Sequence, residues 1–330
     1  MNTAKTPPLL PGASSTQTQA ILGAMRAVAE TGGAATKQDQ VALASADQYV
    51  FGHDAPFAFA MIAPVAPAAL AALASALAGS DLGRDALKFL TVMAFVDGSL
   101  DKAKIASVLR YASALGIAER YLDEIRDAAH GRLQEVLADM TRCNMESITG
   151  RQWADGDVNK WLLPYDGRPP IRRSRSVEAL ARLAPDTFGH CFWAHFKESG
   201  YAFPGDAKAL NAAFSVPHDS VHVLTGYNTK PRGELLASTF TAAMHPKYPM
   251  AGHVLPVIFS CHLGVQINEV ARDASRALDP EEFWQAWAAG AAVTVDTFAP
   301  DWDFWSHVEV PLGALRERWS IPAAGLDATR

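Results

Sequence analysis

Apolar residues recur at helical spacing along almost the whole chain. Residues 86–96 run Ala86-Leu87-Lys88-Phe89-Leu90-Thr91-Val92-Met93-Ala94-Phe95-Val96, which predicts a helix with one apolar face. Asp97-Gly98-Ser99-Leu100-Asp101 breaks it. Asp101 is a good N-cap for a helix over Lys102–Leu115, and Gly116 stops that helix. A further helix is predicted over Glu119–Ala138. Convincing alternating strands are absent, and short β-prone runs such as Val254–Phe259 sit in helical surroundings. The pattern predicts an all-α protein of two helical domains. Residues 1–20 read as a polar, disordered tail, 21–145 as the first domain, 146–177 as a Pro/Gly/Arg-rich linker and 178–330 as the second domain.

Composition narrows the classes. The chain has 330 residues, 49% hydrophobic and 19% charged, enough for two packed cores. A net charge of −6 argues against a nucleic-acid binder. The one basic cluster, Arg168, Arg172, Arg173 and Arg175, reads as a solvated part of the linker, with Trp153 and Trp161 fastening that linker to a domain. Three cysteines (Cys143, Cys191, Cys261) without a C-x-x-C fit a reducing compartment. No signal peptide is visible, which predicts a cytoplasmic location. Residues 55–80 lack charge but are Ala-rich and hold Pro56, Pro64 and Pro67, so they read as buried helices rather than a membrane span.

Chemistry concentrates in residues 218–234. His218 and His222 stand one helical turn apart on one face, and Asp219 lies about 100° round the same turn. Gly226 can close that helix in a left-handed cap. The loop contains Asn228 and Pro231, and Glu234 opens the next helix. An antiparallel return would bring Glu234 back to the two imidazoles. Unpaired buried charge is costly, and apolar residues such as Phe214, Val221, Leu224, Leu236 and Phe240 surround these four groups. The set His218, Asp219, His222 and Glu234 is therefore a candidate N,N,O,O metal site, against the plainer reading of a surface helix with solvated His. Such a set suits zinc, and its oxygen share also admits iron or manganese.

The same segment closely resembles the metal motif of the ubiquinone (coenzyme Q) biosynthesis family that acts at ring carbon 1 of the polyprenylated precursor. That motif is His-Asp-x-x-His, eleven residues, then Glu; here Val223–Gly233 separate His222 from Glu234. The flanks His-Val-Leu-Thr-Gly-Tyr at 222–227, Ala-Gly-Ala-Ala at 289–292 and Asp-Trp-Asp-Phe-Trp at 301–305 are similar too, so the resemblance spans 178–325. Through the pattern at 87–101, the first domain (21–145) is similar, over about 60 residues, to tellurite-resistance B-like helical domains, in which helix pairs meet at an Asp-Gly turn. That extra domain departs from the simplest form of the ubiquinone family. The resemblance implies a zinc-dependent oxidative decarboxylation of a polyprenylated hydroxybenzoate, with Glu234 and Asp219 as catalytic candidates. It also implies contact with a membrane surface, peripheral to the inner membrane, and with other ubiquinone-synthesis enzymes. Two further classes stay open: a non-catalytic prenyl-lipid scaffold, and a metal-dependent phosphohydrolase that would need ligands such as His190 and Asp273 or Asp296. A homo-oligomer is also left open.

Several other side chains carry two readings. Asp97 and Asp101 are read as turn and cap rather than cation ligands, because Lys102 and Lys104 stand where oxygen ligands would be needed. His245 shares a helical face with Glu234, Ser238 and Thr241, as a supporting group, a base or a helix-end residue. His253 reads as structural. His262, Gln266 and Glu269 form a polar stripe at i, i+4 and i+7. His190 and His195 lie in an aromatic stretch (Phe188, Phe192, Trp193, Phe196), and Trp284, Trp287, Trp302 and Trp305 form another; both are core or a lipid-contacting surface.

Overall fold

A computed structural model describes residues 7–10, 12–74, 81–149, 176–206, 209–210, 212–265 and 276–322. The linker prediction from residue 150 onward, with its tryptophans and arginines, lies outside them. The fold is all-α; among the described residues there is no strand, only an isolated bridge between Thr187 and Pro311. No described helix is long and apolar enough to cross a membrane.

The chain divides into two compact units. The first comprises Met1–Asp139, Ile258–Val265 and Asp273–Ala288. The second comprises Met140–Val257, Gln266–Arg272 and Ala289–Arg330. This departs from a clean split at the linker, because the first unit recruits aromatic residues from the C-terminal half. Phe259 packs on Phe95 at 5.6 Å and Trp284 on Phe89 at 5.3 Å. His262 sits at 3.2 Å from the Val96 carbonyl.

In the first unit, α1 spans Ser15–Ala29. Ser14 and Gln17 form a reciprocal capping box at its start. The predicted disordered tail is therefore too long: 15–20 are helical, and Thr18 and Ala20 are buried. The polar run there is a cap, not a disordered stretch. Helix α2 (Lys37–Tyr49) is capped in the same way by Thr36 and Asp39. Residues 55–72 are mostly exposed rather than buried helices. Only a short turn at Phe59–Met61 and α3 (Pro67–Ala74) are helical, with Phe57 41% and Met61 78% exposed. The prolines limit helix length, and the Arg26 guanidinium ties down the carbonyls of Phe59 and Ile62.

Helix α4 covers Asp81–Met93. Helix α5 covers Lys102–Leu115, with the Asp101 side chain on the backbone N–H groups of Ala103 and Lys104 and Gly116 left-handed at its end. Between them, Asp97 accepts from the Ser99 N–H at 3.0 Å and from Lys104 Nζ at 2.7 Å. Lys104 also lies 3.1 Å from the fully buried Asp39. Burial alone would lower the pKa of Lys104, but Asp97 and Asp39 override it and hold it above the ordinary lysine value. An ammonium thus stands where a cation would, and Asp97 and Asp101 act as turn and cap. The single helix predicted over 119–138 is two: α6 (Arg120–Ala129) and α7 (Leu133–Thr149). Gly131, at φ +87°, takes the left-handed turn between them.

The second unit is built on α8 (Phe188–Ser199), α9 (Ala212–Thr225), α10 (Pro231–Met244), the end of α11 (Pro280–Ala292) and α12 (Leu312–Arg318). Phe188, Phe192, Phe196, Phe240, Phe304 and Leu315 form its core. Phe192 and Phe304 meet at 4.6 Å. Each such ring, fully buried, contributes about 1.5–3 kcal/mol. The aromatic stretch of α8 is therefore core, and so are Trp284 and Trp287 in the first unit. The small residues at 289–292 also have a physical reason. A Cβ on Gly290 would lie 2.1 Å from the Phe240 carbonyl, so only glycine lets α11 approach α10 this closely. Residues 249–254 and 258–262 are π-helical, not the start of a long α-helix. The predicted stripe from His262 therefore fails: the helix ends at His262, which is buried and bonded, and Gln266 and Glu269 lie outside the described residues.

Candidate metal centre

Helix α9 presents the two imidazoles, and the local sequence fixes how. Gly226, at φ +87°, ends the helix and donates its N–H to the His222 carbonyl at 2.8 Å. The chain then folds back so that the Tyr227 carbonyl lies 3.0 Å from His222 Nδ1. A carbonyl only accepts, so Nδ1 carries a proton toward it and Nε2 is the nitrogen that faces inward. Arg316 holds the last turn from outside, donating to the carbonyls of Leu224 (2.7 Å) and Val223 (3.1 Å).

Helix α10 begins at Pro231, three residues before the predicted start. Proline is favoured there because its missing N–H has no partner to lose. Glu234 is thus in the first turn rather than at its opening. Gly233 precedes it, and a Cβ there would lie 1.9 Å from the Asn228 carbonyl. The loop and the helix start are in backbone contact at that point, which sets where Glu234 enters.

The result is convergence. Glu234 Oε2 lies 3.2 Å from His218 Nε2 and 3.4 Å from His222 Nε2, and the two Nε2 atoms are 3.2 Å apart. Metal–ligand bonds of 2.0–2.1 Å in a tetrahedron put neighbouring donors about 3.3–3.4 Å apart. The three atoms therefore have the spacing of one face of a coordination polyhedron, and the donor set fits a divalent ion. Asp219 belongs to the same cluster: one ligand atom each from His218, Asp219 and His222 lie within 4.8 Å of one another. One Asp219 oxygen, however, is engaged by His195 Nε2 at 2.9 Å.

The electrostatics follow from the packing. His222 is fully enclosed (side chain 0% exposed), while 28% of the Glu234 side chain is reached by solvent. Burial disfavours a charged His222, but the Glu234 carboxylate, with help from Asp219 and the Tyr227 carbonyl, raises its pKa to about 9. Burial pushes Glu234 the other way, yet His222 and His218 hold it well below the usual carboxylate range.

His195 is the residue that sequence reasoning left unassigned. Five positions before it, His190 sits on a different side of α8, and its Nδ1 is buried without a partner. His195 instead faces α9, stacking on His222 with ring centroids 5.6 Å apart. The available signal was its place three residues after Phe192 and one before Phe196, at the edge of the apolar face rather than in it. An imidazole that orients a ligating carboxylate belongs to the support of a metal site. His195→Ala is expected to weaken metal binding by about 10–100-fold with little change in helix content, read by competition with a chelator. Unchanged affinity would remove His195 from the site.

The further ligands a phosphohydrolase would need include Asp273 or Asp296. Asp296 pairs with His245 at 2.7 Å, and Asp273 lies outside the described residues. No family model matches the chain, and no curated protein or solved structure is significantly similar to it.

Proposed function

We propose that this protein binds one divalent metal through His218, His222 and Glu234, with Asp219 beside them. We propose that it uses the metal for oxidative decarboxylation at ring carbon 1 of a polyprenylated hydroxybenzoate in ubiquinone synthesis. The observation that carries the metal part is the mutual spacing of three donor atoms, 3.2–3.4 Å, around one point. The substrate part rests on the resemblance of the 218–234 motif and its flanks. Zinc is the metal the donor set suits best, with iron or manganese as alternatives.

A bound divalent ion supplies Lewis-acid charge for a ring carboxylate. The chain's own residues do the rest. The Tyr227 carbonyl fixes the tautomer of His222, His195 orients Asp219, and Glu234 sets the net charge of the centre. Exchange of carboxyl for hydroxyl is a two-electron oxidation with loss of carbon dioxide; dioxygen is the proposed oxidant, leaving as hydrogen peroxide while water supplies the new hydroxyl oxygen. A substrate with a polyprenyl tail lives in a bilayer, so the protein would work at the membrane surface beside other enzymes of the pathway.

Glu234→Gln tests this reading. It keeps the shape and removes one charge from the centre. Conversion of a prenylated carboxy-phenol, in extract or in a strain lacking its own enzyme, is expected to fall by at least about 10–100-fold while the thermal melt barely moves. Full conversion by Glu234→Gln would favour the second reading, a scaffold that binds prenyl lipid and uses its metal structurally.

A further inference from the structure

Glu234, Ser238, Thr241 and His245 recur at i, i+4, i+7 and i+11 along α10 and so share one face. The last three are buried, on a helix otherwise filled by Leu235, Leu236, Ala237 and Phe240. A polar seam therefore runs from a metal ligand to the far end of the helix, about 16 Å of rise away.

The seam ends in an acid–imidazole pair. His245 Nδ1 lies 2.7 Å from Asp296 Oδ2, and Asp296 Oδ1 accepts from the Phe298 N–H at 2.9 Å. An ionised carboxylate can only accept, so Nδ1 carries a proton toward it and Nε2 is the nitrogen that faces away. That Nε2 is buried and has no hydrogen-bond partner. Its neighbours do not supply one. Phe298 is apolar, at 5.7 Å between ring centroids. His253, at 6.1 Å, is committed elsewhere: its Nε2 lies 2.6 Å from Ser147 Oγ, whose own proton goes to the Lys247 carbonyl. Burial above all pushes His253 down to about 3, so it stays neutral.

A buried ring nitrogen without a partner is destabilising by about 1–3 kcal/mol, which a ligand group bonded to it would offset. One contact ties the pair to the helix of the metal ligands. Thr297, next to Asp296, donates to the carbonyl of Pro217, the residue before His218, at 3.4 Å. A carboxylate behind an imidazole is the arrangement that makes the far nitrogen a better base.

We infer that His245, held by Asp296, is the proton acceptor for a hydroxyl group of an aromatic acid bound at the His218–His222–Glu234 centre. This rests on the substrate class proposed above. The proton leaves the ligand's O–H, the electron pair stays on that oxygen, and a new N–H bond forms at Nε2. The imidazolium so formed lies against the Asp296 carboxylate. A phenol turned into a phenolate pushes electron density into its ring, which is what loss of the carboxyl group and oxidation both require.

The test uses the full chain with its metal, ¹⁵N-labelled at histidine, and the probe 4-hydroxy-3-nitrobenzoate, whose phenolate is yellow. Without ligand at neutral pH, His245 Nε2 is expected to resonate as a bare nitrogen. At a pH below the probe's solution pKa, the bound probe is expected to show the phenolate band. In His245→Gln, probe binding, metal content and melting temperature are expected to hold while the phenolate fraction falls at least tenfold. Asp296→Asn, which keeps the imidazole, is expected to lower that fraction to an intermediate level. A protonated Nε2 in the ligand-free protein, or an undiminished phenolate band in His245→Gln, overturns the assignment. Neither measurement needs turnover. A wild-type protein that makes the phenolate but does not convert a prenylated acid would sink the decarboxylase reading and leave His245 in place.

Discussion

His222→Ala is expected to remove the metal and, with it, a specific pH dependence. His222 is the most enclosed of the three converging donors, and its loss leaves two where a closed face needs three. Outer-shell changes at metal sites lower affinity by about 10–100-fold, so loss of a ligand should exceed about 100-fold. Elemental analysis of the purified variant reads this directly. The metal-free protein adds a second signature. The folded-state pKa of His222, about 9, is above its ordinary 6.5, so its contribution is fully present below 6.5 and is lost as pH rises through 9. The size is about 3 kcal/mol. Glu234 is shifted downward, so its contribution is present above its ordinary 4.5 and is lost as pH falls through its depressed folded value. Both shifts describe one ion pair and are not added. Metal-free wild type should therefore unfold at lower denaturant at about pH 10 than at about pH 6, and His222→Ala should not show that difference. Metal affinity must run the other way, rising with pH, because the ligating imidazole has to shed its proton. A metal-free protein with a flat stability between those two pH values would contradict the paired geometry.

The clustering of His218, His222 and Glu234 was legible because the spacing is local. His218, Asp219 and His222 occupy one helical turn, and Gly226 and Pro231 mark the ends of a short connection, so helix geometry alone returns Glu234 to the first turn. The cap at Asp101 and the stop at Gly116 were legible for the same reason: each is a bond between residues within four positions of one another. What the sequence does not carry is pairing across the chain. His195 meets Asp219 from another helix, and nothing in Phe192-Trp193-Ala194-His195-Phe196 specifies that partner. Asp296 finds His245 across 51 positions. Phe259 and Trp284 join the first unit although they lie in the half that carries the metal motif. The remaining misreadings are local competitions. The Ser14–Gln17 box turned a polar run into a helix start, and Gly131 divided a periodic stretch into two helices. Prolines at 56, 64 and 67 left the charge-free segment exposed where apolar composition suggested burial.

Gly233→Ala is expected to damage both stability and metal binding, although the side chain it adds touches no ligand. The new Cβ would sit 1.9 Å from the Asn228 carbonyl oxygen and 2.5 Å from Asn228 Oδ1. Ordinary contacts begin near 3.4 Å, so the backbones must separate by more than an ångström. Neither side yields easily. Asn228 Oδ1 accepts the Lys230 N–H at 2.9 Å and shapes the entry to α10, while Tyr227, one residue before Asn228, supplies the carbonyl that orients His222. Moving the loop turns His222; moving the helix start carries Glu234 away. Overpacking of this kind destabilises by about 1–3 kcal/mol, and backbone contact puts Gly233 at the upper end. A shift of one ångström also exceeds what a donor face tolerates, since ligand distances at metal sites are held to about 0.2 Å. Gly226→Ala is the control. It strains a left-handed φ of +87° at the end of α9. The expected order of metal affinity is wild type, then Gly226→Ala, then Gly233→Ala at least tenfold below wild type, measured by chelator competition alongside thermal melts with and without metal. If Gly233→Ala takes up metal as wild type does, the loop contact does not position Glu234, and the convergence of the three donors must be set by the packing of α9 on α10 alone.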